Sequence, residues 1–438
     1  MLGYIGLFGS LALLIYLTMK GVNLLISAPL TALLAGLTNG LAFFPQTALD
    51  EQANFLTSYM NGFTGFVGSW YLMFMAGAIF GKVMEDTGAA DSVSKWIVDK
   101  IGVKYAVFAV VMAAAVLTYG GVSVFIVAFS VYPMAISLFK QANFPRRFIP
   151  AALGLGSVTF TMTSAGSPEI QNWIPIPYLG TTPYAGWQVS LIVAIFMATV
   201  GCLWLNWMVK RAVGKGEEFI ARSTDPVIDE KKALPNPLLS VIPLVVVLVI
   251  SFIFHDSLGT SALIVALTAG CLAGYAVNFK FAKAVGATVA AGAMGAVVAI
   301  ANTAAVVGFG GVVKATPSFL ATVDVITSIP GSPLLGGAVA IAVIAGLTGS
   351  ASGGQTIAMP LLAPHYIDMG VDTEALHRTI AIASGSLDSL PHGGYVVTTI
   401  SSVCGEKHKD AYLPFGALTV IIPIIGTVIA IALFSLGM

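Results

Sequence analysis

The chain is predicted to be an all-α polytopic membrane protein, built from two inverted repeats of five spanning helices, each with a re-entrant hairpin and a broken helix. Three observations carry that prediction. Of 438 residues, 57% are apolar and 9% charged, which leaves too little polar surface for a water-soluble domain. Apolar runs such as 238–254 and 413–436 come near or reach the ~20 residues that cross hydrocarbon as helix. Third, the stretches can be laid out as ten crossings plus two re-entrant hairpins. Of the 20 Lys and Arg, only Lys314 and Arg378 then fall on the far side. Basic loops stay cytoplasmic during insertion. The expected location is therefore the cell inner membrane, multi-pass, with segment 210–236 cytoplasmic and both termini outside.

The elements follow in order. Helix 1 covers about 2–19 and ends at Lys20. Its apolar start imitates a signal peptide, but no basic leader and no small-residue cleavage site accompany it. Helix 2 covers 22–44, and an outside loop carries Asp50 and Glu51. Helix 3 covers 62–84. Over 89–101, Val93, Trp96, Ile97 and Ile101 share one face, the pattern of a helix lying in the membrane interface. Segments 104–119 and 122–139 are short, are broken at Tyr119-Gly120-Gly121, and have basic flanks at Lys104 and at Lys140, Arg146 and Arg147. Both ends thus sit inside, which makes 104–139 a re-entrant hairpin. A broken helix, 148–178, is interrupted at 163–168, and the fifth span is 185–209. The charged linker 210–236 separates repeat 1 (1–209) from repeat 2 (237–438).

The second repeat carries the same landmarks at a near-constant offset. Gly77 and Gly81 match Gly308 and Gly311, Gly102 matches Gly331, and Pro133 matches Pro364. An odd number of crossings per half inserts the second copy upside down. Its hairpin, 333–365, enters from outside between Lys314 and the acidic Asp368, Asp372 and Glu374. Its broken helix is 375–404, stopping near 389–394, and the last span is 412–436.

Inverted repeats imply alternating-access transport, and irregular backbone at membrane depth survives only where protein or a cavity surrounds it. Four interruptions are expected to converge on the substrate. Hairpin tip one offers Tyr119, Gly120, Gly121 and Ser123. Break one offers Thr163, Ser164, Gly166 and Ser167. Tip two offers Ser350, Ser352, Gly353, Gly354, Gln355 and Thr356, and break two offers His392 and Gly393. Helix ends restarting there present unpaired N–H groups and partial positive charge. No Lys or Arg lies in the breaks, so a monocarboxylate fits better than a tricarboxylate, and the hydroxyls suit a hydroxylated one. Glu169 and Asp388, one per broken helix, are the acids placed at membrane depth, where ionisable groups are costly and functional. They are the proton-coupling candidates, with Glu169 preferred.

Structural readings stand beside these. Glu169 or Asp388 could cap a helix, and Asp388 could pair with His392. Glycines outside the breaks could serve helix packing. Asn302 and Thr303 suggest an interhelical hydrogen bond. His255, His365, His377 and His408 read as solvated. Cys202, Cys271 and Cys404 have no metal or redox spacing. No metal, cofactor or catalytic site is expected. A net charge of zero gives nucleic-acid binding no support. The expected partners are a small carboxylate, a coupling proton (sodium less favoured), the lipid bilayer and, in a homodimer, a second copy. An anion channel and an intramembrane serine hydrolase using Ser352 and His392 are the remaining alternatives. The repeat and second hairpin have no use in a hydrolase, and a channel shows neither saturation nor counterflow.

Residues 77–90 (GAIFGKVMEDTGAA), 118–123 (TYGGVS), 166–168 (GSP), 349–354 (GSASGG) and 390–394 (LPHGG) resemble the gluconate permease family of the ion transporter superfamily, across essentially the whole chain. Within it the chain is most similar to the 3-hydroxybutyrate permeases. The resemblance implies cation-coupled uptake of small organic anions, usually with protons. Related divalent-anion symporters carry Ser-Asn-Thr at both tips and couple to sodium. This chain departs from that pattern at both, which speaks against sodium coupling and dicarboxylates.

Overall fold

Peptide groups inside hydrocarbon can bond only to one another, which leaves helix as the solution for this composition. The computed structural model describes residues 2–20, 22–45, 53–223, 225, 233–282, 284–319, 321, 332–391 and 393–438. Among them it contains helices and a single isolated bridge, Ala42 to Asn54. The predicted loop acids Asp50 and Glu51, and Gly331 and His392, lie outside the described residues.

Helix α1 is Leu2–Met19 and α2 is Leu24–Thr38, opened by Asn23, whose side chain accepts from Leu25 N–H. Helix α2 stops short of the predicted residue 44. Helix α3, Phe55–Asp86, starts two turns earlier than predicted, because Asn54 caps it through Thr57 N–H. Helix α4 is Ala89–Ile101, and it meets the following helix at 99°. Its buried stripe is Ala90, Val93, Ser94, Ile97 and Val98, while Trp96 turns outward at 37% exposure. The face assigned to Trp96 is thereby corrected: the stripe follows i, i+3, i+4 spacing from Ala90. Ser92 Oγ donates to Pro235 O, so this helix packs on protein.

Two pairs of helices stand where the hairpins are expected, and the arm Val124–Gln141 is long and apolar enough to cross a bilayer. The first is α5, Ala106–Tyr119, with α6, Val124–Gln141. Helix α7, Ile149–Gly154, runs on as a π-turn to Thr159 and then loses regularity until α8, Ile176–Leu179. Helix α9 is Trp187–Val213, α10 Pro237–Leu258, α11 Ser261–Asn278 and α12 Val285–Lys314. The second hairpin is α13, Pro333–Thr348, with α14, Ala351–Asp368. Helix α15, Thr373–Leu387, breaks before α16, Gly394–Val397, which continues as a π-turn to Val403. Helix α17, His408–Gly416, passes through a π-turn into α18, Ile422–Ser435.

Among the described residues, 7 helices are long and apolar enough to cross a bilayer, or 8 if the bent α4–α5 pair counts as one span. One of the 7 is the hairpin arm α6. Ten crossings therefore require α1, α2 and the two interrupted helices to cross as well.

Helices α3 and α12 pack closely. A Cβ on Gly62 would sit 2.6 Å from Val307 O, one on Gly311 2.4 Å from Ser58 O, and one on Gly292 2.7 Å from Ile79 Cα. Backbone rests on backbone there, so glycine is the residue that fits. Thr303 bonds back to Ala299 O of its own helix, not across helices.

At one end of the bundle the 217–225 segment is strapped down by charge. Arg147 forks onto Glu217 at 2.7 and 2.9 Å. Arg146 bonds Asp225 at 2.6 Å and Glu406 at 2.8 Å, and Arg222 reaches Glu406 at 3.0 Å. This joins the linker to the start of one broken helix and the end of the other.

Candidate functional site

Each interruption has a local cause. Helix α5 ends at Gly120, and Gly121 takes φ +92, a left-handed value that favours glycine. A Cβ on Gly121 would lie 3.3 Å from Pro168 Cγ, so tip one rests on break one. Tyr119 OH donates to Ala165 O at 2.8 Å. Ser123 stands at the N-cap of α6 without making a cap bond.

Break one is held from behind. Asn172 Nδ2 donates to Ser164 O at 2.9 Å, to Ser167 O at 3.2 Å and to Pro183 O at 3.1 Å. Trp173 Nε1 also donates to Ser167 O. Ser164 Oγ bonds Phe160 O, and Gly166, at φ +79, lies under the Tyr184 ring. Gly166 N–H donates to Pro183 O of the 181–186 strap at 3.0 Å, while Ser164 and Ser167 bond within the 160–173 segment.

Tip two turns at Gly349, φ +62, and Ser350 caps α14 by accepting from Gly353 N–H at 3.2 Å. Ser350 and Ser352 hydroxyls lie 3.3 Å apart, and Thr356 bonds Ser352 O. Gly354 touches the Ala345 backbone, where a Cβ would come to 2.6 Å. Gln355 is fully buried and donates to Ser384 Oγ of α15 at 2.9 Å. In break two, Ser389 Oγ donates to Asp388 Oδ1 at 3.0 Å, and Gly393 packs on Asp388 O too closely for any side chain.

The four interruptions meet. Val158 and Met162 of break one, Ala351 of tip two, Val124 beside tip one and Tyr395 just past break two form one small apolar cluster. Phe125 sets its ring edge-on to Tyr395 at 5.7 Å. Gly385 of α15 abuts the Thr163 methyl. Around this cluster the buried oxygens of Ser157, Thr163, Thr399 and Tyr395 and Gln355 Oε1 have no hydrogen-bond partner. Tyr395 OH lies against the Ser157 and Thr399 hydroxyls. Buried polar groups are ordinarily satisfied, so a concentration of orphans marks a place where a polar ligand belongs.

Ser157, Tyr395 and Thr399 are absent from the sequence-derived set. Their signal was weak: they lie in regular segments flanking the breaks, where hydroxyls commonly bond back to the helix. Glu169 does not cap the 170–172 turn, and among the described residues its carboxylate takes no hydrogen bond or ion pair. It directly follows Pro168, on which Gly121 of tip one rests. Asp388 stands at the C-terminal end of α15, so it does not cap the N-terminus of that helix.

Two corrections matter more. His377, expected in solvent, is fully buried and bonds Thr181 Oγ1 at 2.7 Å through Nδ1. Arg378, expected as one of two outside charges, is also fully buried. Its guanidinium reaches Thr163 O at 2.6 Å, Asn172 Oδ1 at 2.7 Å, Ala185 O at 2.9 Å and Pro183 O at 3.1 Å. Break one therefore has a cation behind it, supplied by the other half of the chain. Its signal in the sequence was its failure to sort with the other basic residues. His408 is also partnered, bonding Pro391 O at 2.9 Å, and His255 meets the Tyr184 ring edge-on with centroids 4.8 Å apart, whereas His365 is exposed.

Comparison with known proteins agrees with this architecture. The model for the GntP family permease matches residues 4–437. An uncharacterized transporter of Bacillus subtilis (strain 168), YxjC, is 33% identical over 94% of each chain. An uncharacterized transporter of Haemophilus influenzae is 23% identical over 81% of this chain and 83% of its own. Among solved structures, the Alcanivorax borkumensis YdaH transporter superposes with a TM-score of 0.60 at 16% identity, covering 97% of this chain and 98% of that one, a likeness of fold.

Proposed function

Because the chain belongs to the GntP family of permeases, we propose that it is a secondary active transporter carrying a small hydroxy-monocarboxylate, of the 3-hydroxybutyrate or gluconate class, in symport with a proton. The observation that supports this most is the cluster of unpaired buried hydroxyls where both hairpin tips and both breaks meet. Hydroxyls match a hydroxylated substrate, and the buried Arg378 behind Thr163 favours a negative one. Glu169 is the coupling acid: it lies in break one with no partner among the described residues to hold it ionised, and protonation removes the cost of carrying a charge through the membrane interior. Helices α1–α9 and α10–α18 act as two inverted copies, crossing ten times in all, with the 210–236 linker cytoplasmic. The two near-equivalent arrangements of the copies open the site alternately to each side.

Uptake into proteoliposomes tests this reading. Under an imposed inward proton gradient, 3-hydroxybutyrate or gluconate should accumulate saturably and show counterflow. Uptake that ignores the pH gradient and requires sodium would overturn proton coupling, and unsaturable flux without counterflow would indicate a channel.

A further inference from the structure

We infer that Arg378 is the fixed positive charge that makes this site prefer an anion, acting through the backbone of break one without touching the substrate. The inference rests on the site proposed above and assigns the origin of its charge selectivity.

A buried guanidinium is ordinarily matched by a carboxylate. Here none does so: Arg378 is satisfied by three backbone carbonyls and the Asn172 amide. Glu374, one turn earlier on α15, directs an oxygen to Gly186 N–H at 3.3 Å and forms no ion pair with Arg378 among the described residues. Two further titratable groups sense this charge: Tyr119 spends its hydroxyl hydrogen on Ala165 O, and His377 Nδ1 is bonded to Thr181 Oγ1. A full positive charge therefore stays in a dry environment, where its field is weakly screened.

The same contacts remove acceptors from break one. The Thr163 carbonyl is taken by Arg378, Ser164 and Ser167 carbonyls by Asn172, and the Ala165 carbonyl by Tyr119. The Thr163 hydroxyl is a buried side-chain oxygen left without a partner there, and it can donate. With these four carbonyls taken and a cation one residue behind them, the break suits a carboxylate and disfavours a cation. Arg378 is thus a positioning and charge-setting residue.

The experiment compares binding of 3-hydroxybutyrate and gluconate with that of their uncharged amides, using purified protein in detergent. The unmodified protein should prefer the acids. In Arg378→Gln and Arg378→Met the acid-over-amide affinity ratio should fall about tenfold or more, with amide affinity little changed. Arg378→Lys should keep the ratio within about threefold while lowering thermal stability, since an ammonium cannot serve the same planar set of acceptors. A merely structural arginine would lower acid and amide affinity together and leave the ratio intact, which overturns the inference. If the uncharged variants fail to fold, loss of the ratio in a folded Arg378→Lys overturns it equally. Failure of the unmodified protein to bind any of the acids would instead remove the site reading on which this one rests.

Discussion

Arg146 and Glu406 meet at 2.8 Å with side chains only 7% and 5% exposed, although 260 positions separate them. Asp225 and Arg222 complete the cluster from the linker, and Tyr132 OH accepts from Arg146 at 2.9 Å. Removing one member of a buried ion pair strands the other, which costs about 3–5 kcal/mol. Glu406→Ala should therefore lower the melting temperature in detergent far more than Glu217→Ala. Glu217 belongs to a part-exposed pair with Arg147, worth about 0–1 kcal/mol. Equal effects would show that the inner cluster does not secure the two broken helices.

The Glu217–Arg147 pair carries a pH signature of its own. The Arg147 guanidinium, by hydrogen bonding, holds the Glu217 carboxyl below its usual 4.5. A carboxyl depressed in the folded state adds stability above its unfolded value and loses it as pH falls through the folded one. The stability gap between the unmodified protein and Glu217→Gln should be constant from pH 7 to about 5 and shrink below about 4.5. A gap that widens on acidification would reverse the assignment.

Glycines at the tips should rank by their surroundings. Gly354→Ala drives a methyl into the Ala345 backbone and should cost about 1–3 kcal/mol. Gly121→Ala meets Pro168 Cγ and Val247 Cγ1 at 3.3 Å and also forces a left-handed φ, about 1–2 kcal/mol. Gly353→Ala meets the Ser350 side chain at 3.3 Å, which gives by a small shift, and should be nearly neutral in stability. The larger Gly121→Val and Gly353→Val should abolish uptake at normal expression. Melting curves and uptake assays in parallel check the order.

Glu169→Gln should abolish proton-driven accumulation yet preserve substrate exchange, because a permanently neutral carrier still shuttles its ligand. Asp388→Asn should impair both, through its bond with Ser389. Undiminished proton-driven uptake by Glu169→Gln would remove it as the coupling acid.

Sidedness can be read by cysteine labelling in a background lacking Cys202, Cys271 and Cys404. Asp225 makes a poor reporter because it is paired with Arg146 and only 14% exposed. Glu218 is exposed, and Asp256 is 78% exposed at the other end of α10. An impermeant reagent outside intact cells should label Asp256→Cys and spare Glu218→Cys. The reverse pattern would invert the orientation.

The sequence by itself determined the elements that depend on local physics. Apolar length sets where helices run, as in α9 and α10. Paired glycines with basic flanks mark the first hairpin, and Ser-Gly-rich runs mark the ends of α13 and α15. These follow from backbone freedom and from the demand that hydrocarbon-buried peptides bond internally. The expected tip and break residues could be named for the same reason, since such segments cannot remain regular. Tertiary structure alone decided the rest. Counting charges by side treats each one as facing water, so Arg378 looked like a surface residue until Thr163, Asn172, Pro183 and Ala185 supplied its acceptors. Tyr395, Ser157 and Thr399 likewise sit in helical turns whose local pattern is ordinary. They became a candidate site only when packing buried their hydroxyls together and left them unpaired. Burial and satisfaction belong to contacts between residues hundreds of positions apart, and no one-dimensional pattern records those.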